Sequence, residues 1–142
     1  MSAQENKKII RRLAEEPWTG NLDVIDELVD AKYIGYDPAA PEPLRGPAGF
    51  KEFVSTYRAA YSDAKLTVDD QIAEGDKVTT RWTGRGTHDG DLMGIAPTGK
   101  QVTVTGITIS RLANGKVVEE WTQWDTLGML QQLGVVPEMA QA

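Results

Sequence analysis

The chain has 142 residues, no cysteine, and a formal net charge of -6 from 21 acidic and 15 basic side chains. That length suits one domain over residues 1–142, and the scattered cations of an acidic chain argue against a nucleic-acid partner. The missing cysteines remove disulfides and thiolate chemistry, while the polar start and the lack of a run of ~20 apolar residues remove a secretory signal and a membrane span. The reading is a soluble, cytoplasmic domain.

Ser2 and Glu5 have capping-box spacing, and Ile9, Ile10 and Leu13 form the apolar stripe of a first helix that Glu16-Pro17 ends. Asn21 is placed to cap a second helix, in which Leu22, Ile25, Leu28 and Val29 recur at helical spacing. Tyr33 to Asp37 reads as a short strand with Tyr33 and Tyr36 on opposite faces, and Pro38 to Gly46 as turns. Pro47 opens a third helix with Phe50, Phe53, Val54 and Tyr57 on its apolar side.

Strand patterns then follow at Lys65 to Ala73, Lys77 to Thr87, Gln101 to Leu112 and Val117 to Asp125, close enough for an antiparallel meander. Asn114-Gly115 suits the positive backbone angles of a type I′ turn, so Leu112 should face Val117 and, without a bulge, Thr108 should face Trp121. Leu127, Leu130 and Leu133 mark a last helix ended by Gly134. The order predicts an α+β fold in which one curved, mostly antiparallel sheet covers its helices and leaves a pocket inside.

Trp121, Gln123 and Asp125 share one strand face, and that face is expected to line the pocket. A carboxylate set among apolar rings can take and return a proton near neutral pH, because burial disfavours its charged form. Asp125 is therefore the candidate acid/base, although it also stands where it could cap the last helix. His88, the only histidine, follows a strand on the face of Trp82 and could hold a carbonyl or share a proton. The expected substrate-facing side chains are Trp82, Trp121, Gln123, Tyr33, Phe53 and Tyr57, with Met93 from the glycine-rich stretch Asp89 to Lys100, which could act as a lid. His88, Asp89 and Asp91 lack further ligand spacing, so no metal is expected, and Ser2, Ser55, Ser62 and Ser110 lack a nucleophile elbow.

The runs Gly46-Pro47-Ala48-Gly49-Phe50, Glu74-Gly75-Asp76-Lys77-Val78, Gly86-Thr87-His88, Pro97-Thr98-Gly99-Lys100, Glu120-Trp121 with Asp125, and Gln132-Leu133-Gly134 resemble the SnoaL-like polyketide cyclases, in the superfamily named for nuclear transport factor two. That resemblance implies a cone fold, a homodimer, a small hydrophobic substrate and no metal or organic cofactor. It also implies an intramolecular aldol closure with Asp125 as general acid/base and His88 near the cavity. Two other readings stay open: a non-catalytic small-molecule-binding dimer, and an epoxide hydrolase-like enzyme, which would need a second carboxylate and an inward arginine to activate water, Arg81 or Arg111 paired with Asp125 being the available candidates.

Overall fold

The computed structural model describes residues 2–137. Helix α1 (Ala3–Glu15) opens with the predicted capping box, in which the Ser2 hydroxyl accepts from the Glu5 amide and the Glu5 carboxylate accepts from the Ser2 amide. Its buried stripe of Ile10 and Leu13 faces the sheet, and its last turn is tied to a strand by the Val68 amide, which donates to Glu15 Oε2 at 2.9 Å. A 3₁₀ turn (Glu16–Thr19) leads to α2 (Asp23–Leu28). Asn21 does not cap α2: Leu22 holds that position without a side-chain bond, while the Asn21 amide donates to Glu16 Oε1 across the turn. The left-handed backbone at Gly20, with φ of 103°, folds the chain back and brings those two side chains together.

Strand β1 (Val29–Tyr36) starts earlier than its apolar pattern suggested, and β2 (Leu44–Arg45) is a two-residue strand within a stretch expected to be turns. Helix α3 (Gly46–Ala60) carries proline in its first turn as predicted. Strands β3 (Lys65–Glu74), β4 (Lys77–Thr87), β5 (Gln101–Ala113) and β6 (Lys116–Trp124) form the expected meander, and α4 (Thr126–Leu133) ends at Gly134 with φ of 81°.

One six-stranded sheet has the order β2-β1-β6-β5-β4-β3. Every neighbouring pair is antiparallel except β1 with β6, which run parallel and so join the N-terminal third of the chain to its last strand. Two buried clusters fill the space between sheet and helices. One holds Ile10, Leu13, Ile25, Tyr33, Val54 and Val117, and the other Tyr57, Tyr61, Leu92, Val102, Met129 and Leu133.

The β5–β6 hairpin contains a bulge that the Asn114-Gly115 turn does not announce. Leu112 faces Val117 as predicted, but Arg111 faces Glu119, so Val118 has no partner of its own. Inward positions on β5 remain even-numbered throughout, from Val102 to Leu112, whereas on β6 they change from Val117 to Glu120, Thr122 and Trp124. Thr108 consequently faces Thr122 rather than Trp121.

Glycine permits the aromatic packing on the inward side of the sheet. A Cβ on Gly106 would lie 2.7 Å from Trp82 Cε2 and 2.8 Å from Trp124 Cβ, so the Trp82 indole can lie across this position only if no side chain stands there. Gly106→Ala is expected to cost about 1–3 kcal/mol, read as a lower urea midpoint with an unchanged slope.

Candidate active site

The inward face of the sheet and helices α1 and α3 enclose a cavity of about 190 Å³. Leu13, Phe50, Phe53, Trp82, Val104 and Met129 contribute apolar walls, so the cavity suits a hydrophobic molecule. Polar residues interrupt these walls, Lys65 and Arg85 from β3 and β4 among them. The Trp82 indole N–H donates to Thr108 Oγ1 at 3.1 Å, and Thr108 and Thr122 share a hydroxyl contact of 3.0 Å.

Two carboxylates line this cavity, Glu120 on β6 and Asp37 just past β1, both at the C-terminal end of the parallel β1–β6 pairing. Glu120 is buried on β6 and fully engaged: the Tyr33 hydroxyl donates to Oε1 at 2.9 Å and the Ser110 hydroxyl to Oε2 at 2.5 Å. Burial pushes its carboxyl above the ordinary range, against the two hydroxyls that lower it. Asp37, just past β1, accepts on Oδ1 from the Ala39 amide at 2.8 Å and from the Trp124 indole N–H at 3.0 Å. Burial raises its carboxyl too, outweighing those two bonds, and among the described residues no hydrogen bond reaches Oδ2.

Two phenols on one side of α3 complete the lining. The hydroxyls of Tyr57, in the helix, and Tyr61, at its C-cap, are both buried and have no hydrogen-bond partner among the described residues. An unpaired buried hydroxyl forgoes roughly 1–3 kcal/mol of hydrogen-bond stabilisation. Burial raises both phenols, Tyr61 to about 12, so they remain protonated donors at neutral pH.

Of the side chains predicted to face the substrate, Trp82, Tyr33, Phe53 and Tyr57 line the cavity. Trp121 and Gln123 do not; the bulge at Val118 turns them to the outer face, where Trp121 stacks on Tyr36 at 6.5 Å. Asp125 stands outside with them, exposed, and its Oδ1 accepts from the Gly128 amide at 2.8 Å as the N-cap of α4. Among the described residues Asp125 has no arginine partner, and Arg81 and Arg111 pair instead with Asp69 and Glu119.

His88 is wholly buried but sits behind the wall. Its Nδ1 accepts from the Thr98 amide at 3.1 Å and contacts the Thr98 hydroxyl, while its ring lies against Tyr61, which separates it from the cavity. Met93 is exposed, with φ of 46°, at the tip of a loop anchored by buried Leu92 and by the Asp89 and Gly90 amides on Ala60 O. It does not reach the cavity. Among the described residues no group of three or more His, Asp or Glu is placed to hold a metal, and no helix is long and apolar enough to cross a membrane.

Asp37, Glu120, Tyr61, Thr122 and Trp124 were not singled out as site residues from the sequence. Alternation gave the two faces of β6 correctly but not which one turned inward. Asp37, before Pro38, looks like an ordinary turn residue, and its Asx turn to Ala39 fits that pattern.

Helices packed over one mixed sheet around an apolar, carboxylate-bearing cavity define a ketosteroid isomerase-like fold; a Catenulispora acidiphila protein of that fold matches with a TM-score of 0.76 at 19% identity, covering 94% of this chain and 97% of that one. The family model for SnoaL-like polyketide cyclases matches residues 7–133, and the chain belongs to that family. The aklanonic acid methyl ester cyclase DnrD of Streptomyces peucetius is 30% identical over 128 residues, covering 89% of this chain and 88% of the relative. A solved structure of a candidate polyketide cyclase from Acidithiobacillus ferrooxidans is 34% identical with a TM-score of 0.82, covering 94% of this chain and 98% of that one. The protein is an enzyme of the polyketide cyclase type.

The raised Glu120 carboxyl makes stability depend on pH in a definite direction. Above the ordinary carboxylate range the unfolded chain holds fewer protons than the native one, so stability falls as pH rises towards the native value. Glu120→Gln, which keeps a partner for both hydroxyls, is expected to flatten that decline in urea unfolding between about pH 4 and pH 8. Equal slopes for the two proteins would show that Glu120 carries no such coupling.

Proposed function

We propose that this enzyme closes a ring by an intramolecular aldol reaction on a carbonyl-rich apolar substrate, with Asp37 as the general acid/base. The observation that carries the reading is the second oxygen of Asp37. It belongs to a carboxyl raised by burial on a residue that lines the cavity, and among the described residues no hydrogen bond reaches it. Glu120, whose two oxygens are occupied by Tyr33 and Ser110, fixes the Tyr33 ring instead.

In this scheme the Asp37 carboxylate takes a proton from a carbon flanked by carbonyls. The resulting enolate carbon attacks a second carbonyl of the same molecule, forming a carbon–carbon bond while the carbonyl π electrons move to oxygen. That alkoxide takes the proton back from the Asp37 carboxylic acid. The unpartnered Tyr57 hydroxyl, close enough to Asp37 to feel its charge, hydrogen-bonds the oxygen on which negative charge develops. A methyl ester of the kind named for the aklanonic acid methyl ester cyclase is the substrate class we assign to these apolar walls.

Asp37→Asn keeps the Oδ1 acceptor for Ala39 and Trp124 but cannot exchange a proton. It is expected to lower turnover of aklanonic acid methyl ester about 10²–10⁴-fold with binding retained, whereas Asp125→Asn, still able to cap α4, stays near wild type. The wild-type rate should rise with pH through an apparent pKa above the ordinary aspartate value of 3.8. An Asp37→Asn enzyme with undiminished turnover would remove Asp37 from the mechanism.

The reading includes a homodimer formed through the outer face of the sheet. Ile72, Thr79, Ile109, Trp121 and Tyr36 lie in one row across five strands, and Ile72 is 67% exposed. The ion pairs Arg81–Asp69 and Arg111–Glu119 neutralise charges on the strands that carry this row, so a second copy can approach it without like-charge repulsion. Light scattering is expected to give twice the chain mass for the wild type and the monomer mass for Ile109→Arg; a monomeric wild type would reject the dimer.

A further inference from the structure

Trp124 ends β6 and faces Gly106 on β5. A Cβ on Gly106 would come within 2.8 Å of Trp124 Cβ, so the glycine leaves room for the tryptophan. Tyr57 packs edge-on against its ring, at 83° with centroids 5.9 Å apart. The indole N–H of this packed ring meets Asp37 Oδ1 at 3.0 Å, joining residues 87 positions apart in the chain.

The two bonds that Asp37 accepts have different origins. The Ala39 amide belongs to the same turn as Asp37 and moves with it, as in any turn aspartate. The indole bond comes from another strand and ties the carboxylate to the sheet. Both donors meet Oδ1, where they favour negative charge, and an indole N–H can donate but never accept. A proton arriving at this carboxylate is therefore directed to the other oxygen.

We propose that Trp124 is a positioning residue of this enzyme, its indole N–H holding Asp37 by Oδ1 so that the proton leaving the substrate carbon is received, and later returned, at Oδ2. The inference rests on Asp37 being the acid/base. The electron pair of the broken C–H bond stays with the substrate as its enolate, and the O–H bond formed at Oδ2 breaks again when the alkoxide takes the proton. The same indole bond favours the ionised form that must be present to take a proton, against the burial that disfavours it. The neighbouring groups that feel the Asp37 charge are Tyr33 on β1 and Tyr57 on α3, phenols that burial raises and that stay neutral where the carboxyl titrates.

Trp124→Phe keeps an aromatic ring beside Tyr57 and removes the N–H. With aklanonic acid methyl ester its kcat is expected to fall about tenfold while KM stays within about twofold of wild type. Its rate should also rise with pH at a higher midpoint, since the lost bond favoured the carboxylate. Proton–nitrogen correlation NMR of the indole groups reads the bond without turnover. Of the four tryptophans, one should give an indole signal that moves as Asp37 titrates in the wild type, holds still in Asp37→Asn and is absent from Trp124→Phe.

Wild-type kcat in Trp124→Phe, where Asp37→Asn has lost turnover, overturns the positioning role alone. A lower kcat at an unmoved pH midpoint makes Trp124 a packing residue and overturns it as well. Undiminished turnover by Asp37→Asn instead removes the acid/base reading on which the role rests. If Trp124→Phe does not fold, the spectra of wild type and Asp37→Asn still decide, because the absence of an indole signal that follows Asp37 overturns the proposal.

Discussion

Val118 is the extra residue between two facing pairs of the last hairpin, and the placement of every later residue on that strand follows from it. Before it, Val117 is inward opposite Leu112; after it, Glu120, Thr122 and Trp124 are inward, while Trp121, Gln123 and Asp125 point out. Side chains alternate with period two, so one inserted residue exchanges the faces of everything beyond it. The bulge thus supplies Glu120 and Trp124 to the cavity wall and leaves Trp121 on the exposed row that we assign to the dimer.

The parallel pairing of β1 with β6 completes the polar part of the site. It sets Tyr36 opposite Trp121 and Gly35 opposite Glu120, which brings Asp37 at the end of β1 within reach of the Trp124 indole and Tyr33 within reach of Glu120. The two carboxylates then receive different treatment in one apolar setting. Glu120 has both oxygens engaged by hydroxyls, whereas Asp37 has both of its bonds on a single oxygen. Burial raises both, and the difference in bonding is the ground on which we assign the acid/base role to Asp37 and a structural one to Glu120.

The aromatic walls depend on a complementary absence of side chains. Trp82 lies across Gly106 and is fixed by Thr108, Tyr61 lies across Gly86, and Tyr33 occupies the space that a side chain on Gly35 would need. Large rings therefore reach the sheet backbone and still leave a cavity of about 190 Å³. The long loop after His88 adds no wall of its own; its histidine is spent on the Thr98 amide and its Leu92 on the cluster beneath α3 and α4.

The sequence by itself determined the elements that local chemistry controls. The Ser2–Glu5 capping box, the proline at the start of α3, the bounds of β4, the Asn114-Gly115 turn and the glycine stop after α4 all depend on residues within a few positions of one another. Tyr33, Phe53, Tyr57 and Trp82 were legible as cavity side chains because their apolar faces repeat with the period of their own element. The short strand β2, the bulge at Val118 and the parallel β1–β6 pairing were not, since each is settled by partners far along the chain. Only tertiary structure could therefore show that Asp125, which local sequence allowed to be either a cap or an acid/base, caps α4 outside the cavity, and that Asp37, which local sequence marked only as a turn, lines it. The desolvation that raises a carboxyl comes from the walls that other elements place around it, and that enclosure exists only once the sheet has closed on its helices.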